Sequence, residues 1–302
     1  MSLPDKSTIV RFRNEALAAL FRYGEHVTPR RAGRVAFDLW FSAPPRMGQL
    51  PVPAGGEPFE VLAQGHVVRG TAWGASTGST TEGVVYLVHG WGGRGAQFGA
   101  LVGPLVEAGY RVVMFDAPAH GDSDHGPAGP RRTHGVEFAK ALDAVFCRFG
   151  PAEAVVAHSM GTISTYLAMR FGWLGAQRLV FIAPMVEFTS LLDQFQQALG
   201  FGPRTRRAME REVDEFVGVP VCEFDARLQA AHVEPLPTLV ITDRGDRQTP
   251  YAEVVDFAET INAPLITTEG LGHRKVLRDP DVVREVVGFV TGQAADALPH
   301  TA

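Results

Sequence analysis

Buried strands alternate with helices along most of the chain. Two short strands with alternating polarity, "FEVLA" and "HVVRGTAWG", come first. Six apolar runs follow, each succeeded by a turn and then by residues in a helical pattern: "VVYLVHG", "YRVVMFDAP", "EAVVAHSMG", "RLVFIAP", "LPTLVITD" and "APLITTEG". Apolar runs that alternate with helices predict an α/β fold with a mostly parallel central sheet and helices on both faces.

The first 58 residues depart from this rhythm. They begin with a helical pattern over 8–22 and end in a connector rich in proline and glycine, "SAPPRMGQLPVPAGGEP", over 42–58. The segment contains no motif that points to a chemical role. We expect residues 1–58 to form an N-terminal extension packed on the core.

A second departure is the helical segment at 186–234, between the fourth and fifth apolar runs. Its first part places large apolar residues on one helical face: Phe188, Leu191, Leu192, Phe195 and Leu199. A helical excursion between two sheet strands favours a cap or lid, although packing on the core stays open. The core is then expected over 59–185 and 235–302, with a last helix from about Pro280 to Phe289.

Composition narrows the class of partner. The chain has 302 residues, of which 45% are hydrophobic, and a formal net charge of −5, which disfavours nucleic acid and anionic membranes. Two cysteines, Cys147 and Cys222, cannot form a disulfide framework. The N-terminus lacks the apolar stretch of a signal peptide, and no run approaches the roughly 18 apolar residues that span a bilayer. We therefore expect a cytoplasmic protein that acts on a small molecule.

The strongest candidate for chemistry is the serine of "AHSMG", which spans Ala157 to Gly161 at a strand-to-helix junction. A nucleophilic serine must project its Oγ from a tight turn, which requires small neighbours on both sides. Gly161 supplies one of them, whereas Ala157 stands where glycine is commoner. An ordinary helix N-cap is the competing interpretation. The strand before Ser159 and the helix after it favour the nucleophile.

A serine hydroxyl reacts only when a base accepts its proton. His273 in "TEGLGHRKV" follows the last strand, after two glycines that let the loop turn the imidazole inward. His158 adjoins the serine and should point away from it along the strand. The competing histidines are His120, His125, His134 and His232.

The base needs an acid that fixes its tautomer and stabilises the imidazolium. "LVITDRGDRQTP" offers Asp243 at the strand end and Asp246 three residues beyond it. Asp246 lies on the loop that can reach the histidine and is the preferred candidate. Asp243 and then Glu187 are the alternatives.

The stretch "VVYLVHGWGGRG", residues 84–95, has two interpretations. Gly90, Gly92 and Gly95 match the G-x-G-x-x-G of dinucleotide-binding folds, and Asp116 ends the next strand near the place of that fold's acidic residue. The same letters contain His89-Gly90 and further glycine, which build an oxyanion hole after a buried strand. The dinucleotide interpretation leaves "AHSMG" and "GLGH" unexplained. We favour the oxyanion hole and expect no cofactor.

Together, "HGWGG", "FDAPAHGDS", "AHSMG", "DRGD" and "GLGH" resemble the motifs of α/β-hydrolases over about 59–292. Ala157 and Ala119 depart from the pattern, because glycine is commoner at both places. The resemblance implies the α/β-hydrolase fold with a helical cap insertion. It also implies a serine hydrolase of the esterase or lipase type.

The resemblance extends to the site residues. It implies a catalytic triad of Ser159, His273 and Asp246, and an oxyanion hole formed by the backbone N–H groups of Trp91 and Met160. Substrate-binding positions are expected at His89, Gly90, Trp91 and His158.

The segment "HGDSDH", residues 120–125, gathers two histidines and two aspartates. Their spacing fits no zinc pattern, so we expect no metal there. In hydrolases this loop follows the second parallel strand and commonly braces the active-site loops.

Several reactions fit the same residues. Serine at 159, instead of aspartate, disfavours haloalkane dehalogenase and epoxide hydrolase chemistry. Hydrolysis of carboxylic esters is the preferred interpretation; thioesterase, lactonase, amide or carbon–carbon bond hydrolysis and cofactor-free peroxidase activity are the alternatives. A hydrolase-like binding protein without catalysis is more distant, because a decayed site would have lost a triad residue. The sequence specifies neither the substrate nor the oligomeric state.

Overall fold

The structure is a computed structural model that describes residues 6–42, 50–74 and 82–293, with side chains from residue 15 onward. By its contacts the chain divides into two compact units. A helical unit contains residues 6–42 and Glu187–Phe224, and a sheet unit contains the other described residues.

Within its described residues, the sheet unit contains one eight-stranded sheet. Its strands are β1 (Glu57–Ala63), β2 (His66–Trp73), β3 (Val84–Val88), β4 (Arg111–Phe115), β5 (Ala152–His158), β6 (Ala176–Ile182), β7 (Thr238–Asp243) and β8 (Leu265–Thr268). Their order is β1-β2-β4-β3-β5-β6-β7-β8, in which β2 pairs antiparallel with β1 and β4 and the other pairs are parallel. The predicted mostly parallel sheet is confirmed.

The helices in chain order are α1 (Lys6–Val27), α2 (Pro29–Phe41), α3 (Gly99–Glu107), α4 (Gly135–Phe149), α5 (Gly161–Arg170), α6 (Phe188–Leu199), α7 (Pro203–Val217), α8 (Ala226–Ala230), α9 (Tyr251–Thr260), α10 (Gly272–Lys275) and α11 (Pro280–Val290). Short 3₁₀ turns lie at Gly95–Phe98, Val221–Glu223 and Val276–Arg278. No helix in the described part of the chain is both long and apolar enough to cross a membrane.

Helices cover both faces of the sheet, as the uninterrupted apolar strands predict. β3 and β4 are buried along their whole length, so their alternate side chains enter two different cores. On one face, strand residues such as Val85 pack with Leu101 of α3 and Val286 of α11. On the other face, Phe181 of β6 contacts aromatic rings of α5 and α9. This double packing fixes the strands that carry the loops of the candidate site.

Aromatic contacts hold the helical unit together. Phe37 of α2 contacts Phe216 of α7 with 5.2 Å between ring centroids. Trp40 of α2 packs edge-on against Phe188 and Phe195 of α6, two residues of the predicted apolar face. In the N-terminal segment, α2 therefore packs on helices of the insertion.

This grouping differs from the sequence-based boundaries in two places. The pattern over 8–22 did not anticipate α2, which begins at a proline and shares a unit with the insertion helices. At its other end, the insertion contributes α8 to the sheet unit, where α8 packs on α5. Parts of the connector at 42–58 and of the turn-rich segment at 75–83 lie outside the described residues. The role of the helical unit as a lid stays a prediction.

Candidate active site

The predicted site residues follow the carboxyl ends of four strands. His89 and Gly90 come directly after β3, and Ser159 comes directly after β5. Asp246 lies on the loop after β7, and His273 lies in α10 after β8. Because the ends of parallel strands share one edge of a sheet, these four loops meet at that edge.

Ser159 occupies a strained turn between β5 and α5. Its φ is +54°, a left-handed conformation that costs a residue with a Cβ about 1–3 kcal/mol. Three backbone hydrogen bonds hold the turn. Ser159 N donates to Ile182 O at 3.2 Å, and Ser159 O accepts from Thr162 N at 3.0 Å and Met185 N at 3.1 Å. The serine is half-buried, so the turn carries it to the margin of the core.

Two glycines allow the chain after β3 to approach this turn closely. A Cβ on Gly161 would lie 2.5 Å from Val88 O. A Cβ on Gly90 would lie 2.6 Å from Ser159 Cβ and 3.2 Å from Met160 N. Neither position has room for a side chain. The backbone at Gly90, just before Trp91, therefore lies against the serine turn and beside the Met160 amide.

Other glycines of this loop bond within the protein. Gly95 N donates to Asp116 Oδ1 at 2.7 Å, and Gly92 N donates to His120 Nε2 at 2.9 Å. Asp116 also accepts from Asp122 N at 2.8 Å. In the dinucleotide interpretation Asp116 would hold a ribose, whereas here its carboxylate ties the loops after β3 and β4 together. The local pattern at Asp116 is the same in both cases, so sequence reasoning could not assign this role.

Two neutral imidazoles clamp the same loops. His89 Nδ1 lies 2.7 Å from Gly90 O, which can only accept, and His89 Nε2 accepts from Ala117 N at 2.9 Å. His120 has the same tautomer, because its Nδ1 lies 3.0 Å from Pro118 O while its Nε2 accepts from a backbone N–H. Burial lowers the pKa of His89 to about 4 and that of His120 to about 3. Both rings are therefore neutral at pH 7.

Two of the expected substrate-binding side chains lie in the interior. His89 is 1% exposed, and His158 is 3% exposed. The imidazole of each bonds to backbone atoms, so neither ring is presented to a substrate. A histidine beside a strand end has the same one-letter pattern whether it faces a cleft or a core, which is why the sequence did not separate these cases.

His273 and Asp246 form a close pair. His273 Nδ1 lies 2.7 Å from Asp246 Oδ2, and the carboxylate also accepts from Gln248 N at 2.7 Å and Thr249 Oγ1 at 2.9 Å. Burial alone would raise the pKa of Asp246. The hydrogen bond and charge of His273, with the other donors, outweigh burial and hold that pKa below its ordinary value. The carboxylate is therefore ionised and oriented on the imidazole.

Asp243, the alternative acid, has a different role. Its Oδ1 accepts from Gly245 N, and its Oδ2 accepts from Thr268 Oγ1 and Leu271 N, each at 2.9 Å. These bonds join the loop after β7 to the loop that leads to His273. The structure thus brings Asp246 to the imidazole and uses Asp243 to brace the backbone.

Trp91 lies in the loop after β3, and Met160 lies between Ser159 and the start of α5. The Trp91 indole is half-buried and meets the His120 ring edge-on, with 5.4 Å between centroids. Met160 directly precedes α5, where the first N–H groups of a helix lack intrahelical acceptors.

Both aspartates of the "HGDSDH" segment form ion pairs with arginines outside it. Asp122 Oδ2 accepts from Arg94 Nη2 at 2.9 Å, and Asp124 Oδ1 accepts from Arg69 Nη1 at 2.7 Å. Ser123 Oγ donates to Asp116 O at 2.5 Å. Within the described residues, no group of three or more histidine, cysteine, aspartate or glutamate side chains is placed to hold a metal.

The sequence of the chain matches the model of one protein family. A model of the alpha/beta hydrolase family matches residues 85–286, more than half of the chain, and the chain belongs to this family. Membership supports a hydrolase that acts on a small molecule.

Solved structures share the fold at low sequence identity. An esterase of Pyrococcus furiosus has a TM-score of 0.62 at 17% identity, over 84% of this chain and 98% of its own. A bromoperoxidase of Bacillus anthracis has a TM-score of 0.57 at 18% identity, over 78% of this chain and 100% of its own. At these identities the likeness shows the fold alone.

A relative by sequence is the serine hydrolase-like protein of Danio rerio. It is 33% identical over 94 residues, which are 31% of this chain and 27% of the relative. The match therefore spans well under half of that protein.

The neutral imidazoles predict a loss of stability in mild acid. His89, His120 and His158 have folded-state pKa values of about 4, about 3 and about 3, against about 6.5 when unfolded. Between these values the unfolded chain binds more protons, so the free energy of unfolding should fall as the pH drops from about 6.5 towards 4. The upper bound at pH 5 is roughly 2 kcal/mol for each imidazole. Glu137, whose pKa is raised by burial, offsets part of this loss near pH 5.

Urea unfolding at pH 7 and pH 5 measures the effect. His120→Gln keeps an acceptor for Gly92 N without titrating, so its loss between the two pH values should be smaller than in the wild type. His232→Gln alters an exposed histidine and serves as the matched control. If the wild type and His120→Gln lost the same free energy of unfolding between pH 7 and pH 5, His120 would not be one of the groups responsible for the loss.

Proposed function

We propose that this chain is a serine hydrolase of carboxylic esters, with Ser159 as nucleophile, His273 as base and Asp246 as the acid of the triad. The observation that supports this most is the 2.7 Å contact between His273 Nδ1 and Asp246 Oδ2, at the sheet edge that also carries Ser159. Family membership supports the same class of reaction.

The contact between His273 and Asp246 defines which nitrogen can act as the base. An ionised carboxylate accepts a hydrogen bond, so Nδ1 of His273 carries the proton and Nε2 keeps its lone pair. Nε2 then takes the proton of Ser159 Oγ as that oxygen attacks the ester carbonyl carbon. The imidazolium that forms is stabilised by Asp246, which stays ionised.

The rest of the reaction uses the same groups. The tetrahedral intermediate collapses when His273 gives its proton to the leaving alcohol, which leaves an acyl group on Ser159. Water then attacks the acyl carbon while His273 accepts one of its protons. The second collapse releases the carboxylic acid and restores the serine hydroxyl.

The oxyanion of both intermediates is assigned to the backbone N–H groups of Trp91 and Met160. The tight fit of Gly90 against Ser159 Cβ and Met160 N supports this assignment, since the two backbone segments lie side by side. Each such donor contributes roughly 3 kcal/mol to the stability of the transition state. On this proposal the backbone at Gly90 and Trp91 contacts the substrate.

Esters are the preferred acyl substrates because their hydrolysis is the commonest reaction of such a triad, and thioesters and lactones would react through the same groups. A thioesterase domain from the curacin biosynthetic pathway shares the fold with a TM-score of 0.57 at 16% identity, so thioesters are the second substrate class to test. The helical unit, whose second part the sequence places between β6 and β7, is proposed as the lid that sets acyl chain length.

The assignment of Ser159 has a direct test. The wild-type protein should hydrolyse p-nitrophenyl esters with a higher kcat/KM than acyl-CoA thioesters of the same chain length. A fluorophosphonate probe should form an adduct that peptide mass spectrometry locates on Ser159. Ser159→Ala should abolish both hydrolysis and labelling, because it removes the oxygen that carries the acyl group. Labelling that persists in Ser159→Ala, or a wild type that stays unlabelled, would overturn the assignment.

The two aspartates provide a matched pair for the acid. Asp246→Asn should lower kcat by about 10⁴-fold, because an amide in contact with Nδ1 favours the wrong tautomer of His273. Asp243→Asn makes the same chemical change at a carboxylate that bonds backbone and Thr268, and should cost far less. Steady-state kinetics on one p-nitrophenyl ester compares them. If Asp243→Asn proves the more damaging of the two, the acid is wrongly assigned.

A further inference from the structure

His158 directly precedes Ser159 and faces the interior. Its Nε2 lies 2.7 Å from the carbonyl oxygen of His273, a residue 115 positions away in the chain. The two imidazole rings also touch, with 4.6 Å between centroids and an interplanar angle of 50°. The residue before the proposed nucleophile is thus joined to the residue that carries the proposed base.

The contact fixes the protonation of His158. A carbonyl oxygen can only accept, so Nε2 of His158 carries the hydrogen and donates it to His273 O. Burial lowers the pKa of His158 to about 3, so the ring is neutral at pH 7 and Nδ1 carries no proton. Among the described residues Nδ1 has no hydrogen-bond partner. Within the described residues, the hydrogen bond to His273 O is therefore the one that this buried imidazole makes.

The backbone that receives this bond lies at the end of a glycine-containing loop. His273 lies in α10, a helix of four residues, whose carbonyl groups lack partners inside so short an element. The chain enters it through Gly270 and Gly272, with φ of +77° and +61°, where a Cβ would meet no atom within 4 Å. Two side chains from other parts of the chain hold this loop: Asp243 accepts from Leu271 N, and His158 donates to His273 O.

We propose that His158 is a positioning residue for His273. Its Nε2–H anchors the backbone of His273, while Asp246 holds Nδ1 of the same residue, and the two contacts together set the direction of the imidazole. The inference rests on the proposed function, because it is the direction of Nε2 towards Ser159 that matters for the reaction. The competing role is a core histidine whose loss affects stability alone.

Two variants at position 158 separate these roles. His158→Leu keeps much of the volume and removes the donor, whereas His158→Gln keeps an N–H near the place of Nε2. We expect His158→Leu to lower kcat by about 10- to 100-fold with KM changed by less than about twofold, because a misplaced base impairs the chemical step. His158→Gln should recover most of that loss. The rate of fluorophosphonate labelling at Ser159 should follow kcat.

Tyr110→Phe is the matched control. Tyr110 is buried, and its hydroxyl donates to Val290 O at 3.2 Å, so this variant also removes a buried donor to a backbone carbonyl. It should lower the melting temperature and leave kcat unchanged. Equal loss of kcat in Tyr110→Phe and His158→Leu, at a temperature where both are folded, would overturn the inference.

A spectroscopic measurement separates this inference from the proposed function. The proton shared by His273 Nδ1 and Asp246 should give a downfield proton resonance, identified by its absence in His273→Gln. The resonance should be lost or broadened in His158→Leu and kept in His158→Gln and Tyr110→Phe. Because no substrate is needed, this pattern would support positioning even if the wild type failed to label at Ser159. A resonance unchanged in His158→Leu would overturn the inference, whatever the activity of the wild type.

Discussion

The geometry of the candidate site depends on the lack of space between the end of β3 and the turn after β5. No side chain fits at Gly90 or Gly161, so backbone meets backbone there. This contact, with three hydrogen bonds, holds Ser159 at a φ of +54° that its Cβ disfavours. The same contact brings the segment that begins at Gly90 beside the amide of Met160. The strain at the serine and the proposed oxyanion hole are thus two results of one close approach.

Four histidines near this edge differ in their partners. His89 and His120 each donate to one backbone carbonyl and accept from one backbone N–H, so they act as neutral clamps between loops. His158 donates to the backbone of His273. His273 itself is the member of this set that bonds a carboxylate. Burial keeps the clamps neutral, whereas the proposed base, His273, has an ionised carboxylate beside its Nδ1.

Much of this arrangement could be predicted from the sequence because it is encoded locally. The apolar runs predicted the strands, and the small residues around Ser159 predicted a tight strand-to-helix turn. Asp246 is predicted as the acid in preference to Asp243 because it lies farther out on the loop after the strand. In the structure Asp246 contacts the imidazole and Asp243 bonds the backbone. These features depend on a few neighbouring residues and on the rule that parallel strands end at one edge.

The remainder depends on partners that are distant in the chain. His158 was expected to bind substrate, because nothing near it in sequence shows that its partner is His273. The second helix, α2, was missed because its apolar residues make sense only against partners such as Phe216 in α7. The clamp formed by His120 could not be predicted, because it depends on where Gly92 N lies and no spacing rule gives that position. Such contacts follow from the fold as a whole.

We propose that a serine on a strained turn attacks the substrate while two backbone amides receive the negative charge. The crystal structure of the protein after reaction with a dialkyl p-nitrophenyl phosphate tests it most directly, since the adduct carries a phosphoryl oxygen where the oxyanion would be. We expect phosphorus bonded to Ser159 Oγ and the phosphoryl oxygen about 2.7–3.1 Å from the N atoms of both Trp91 and Met160. An adduct on another residue, or a phosphoryl oxygen that contacts neither amide, would contradict the claim.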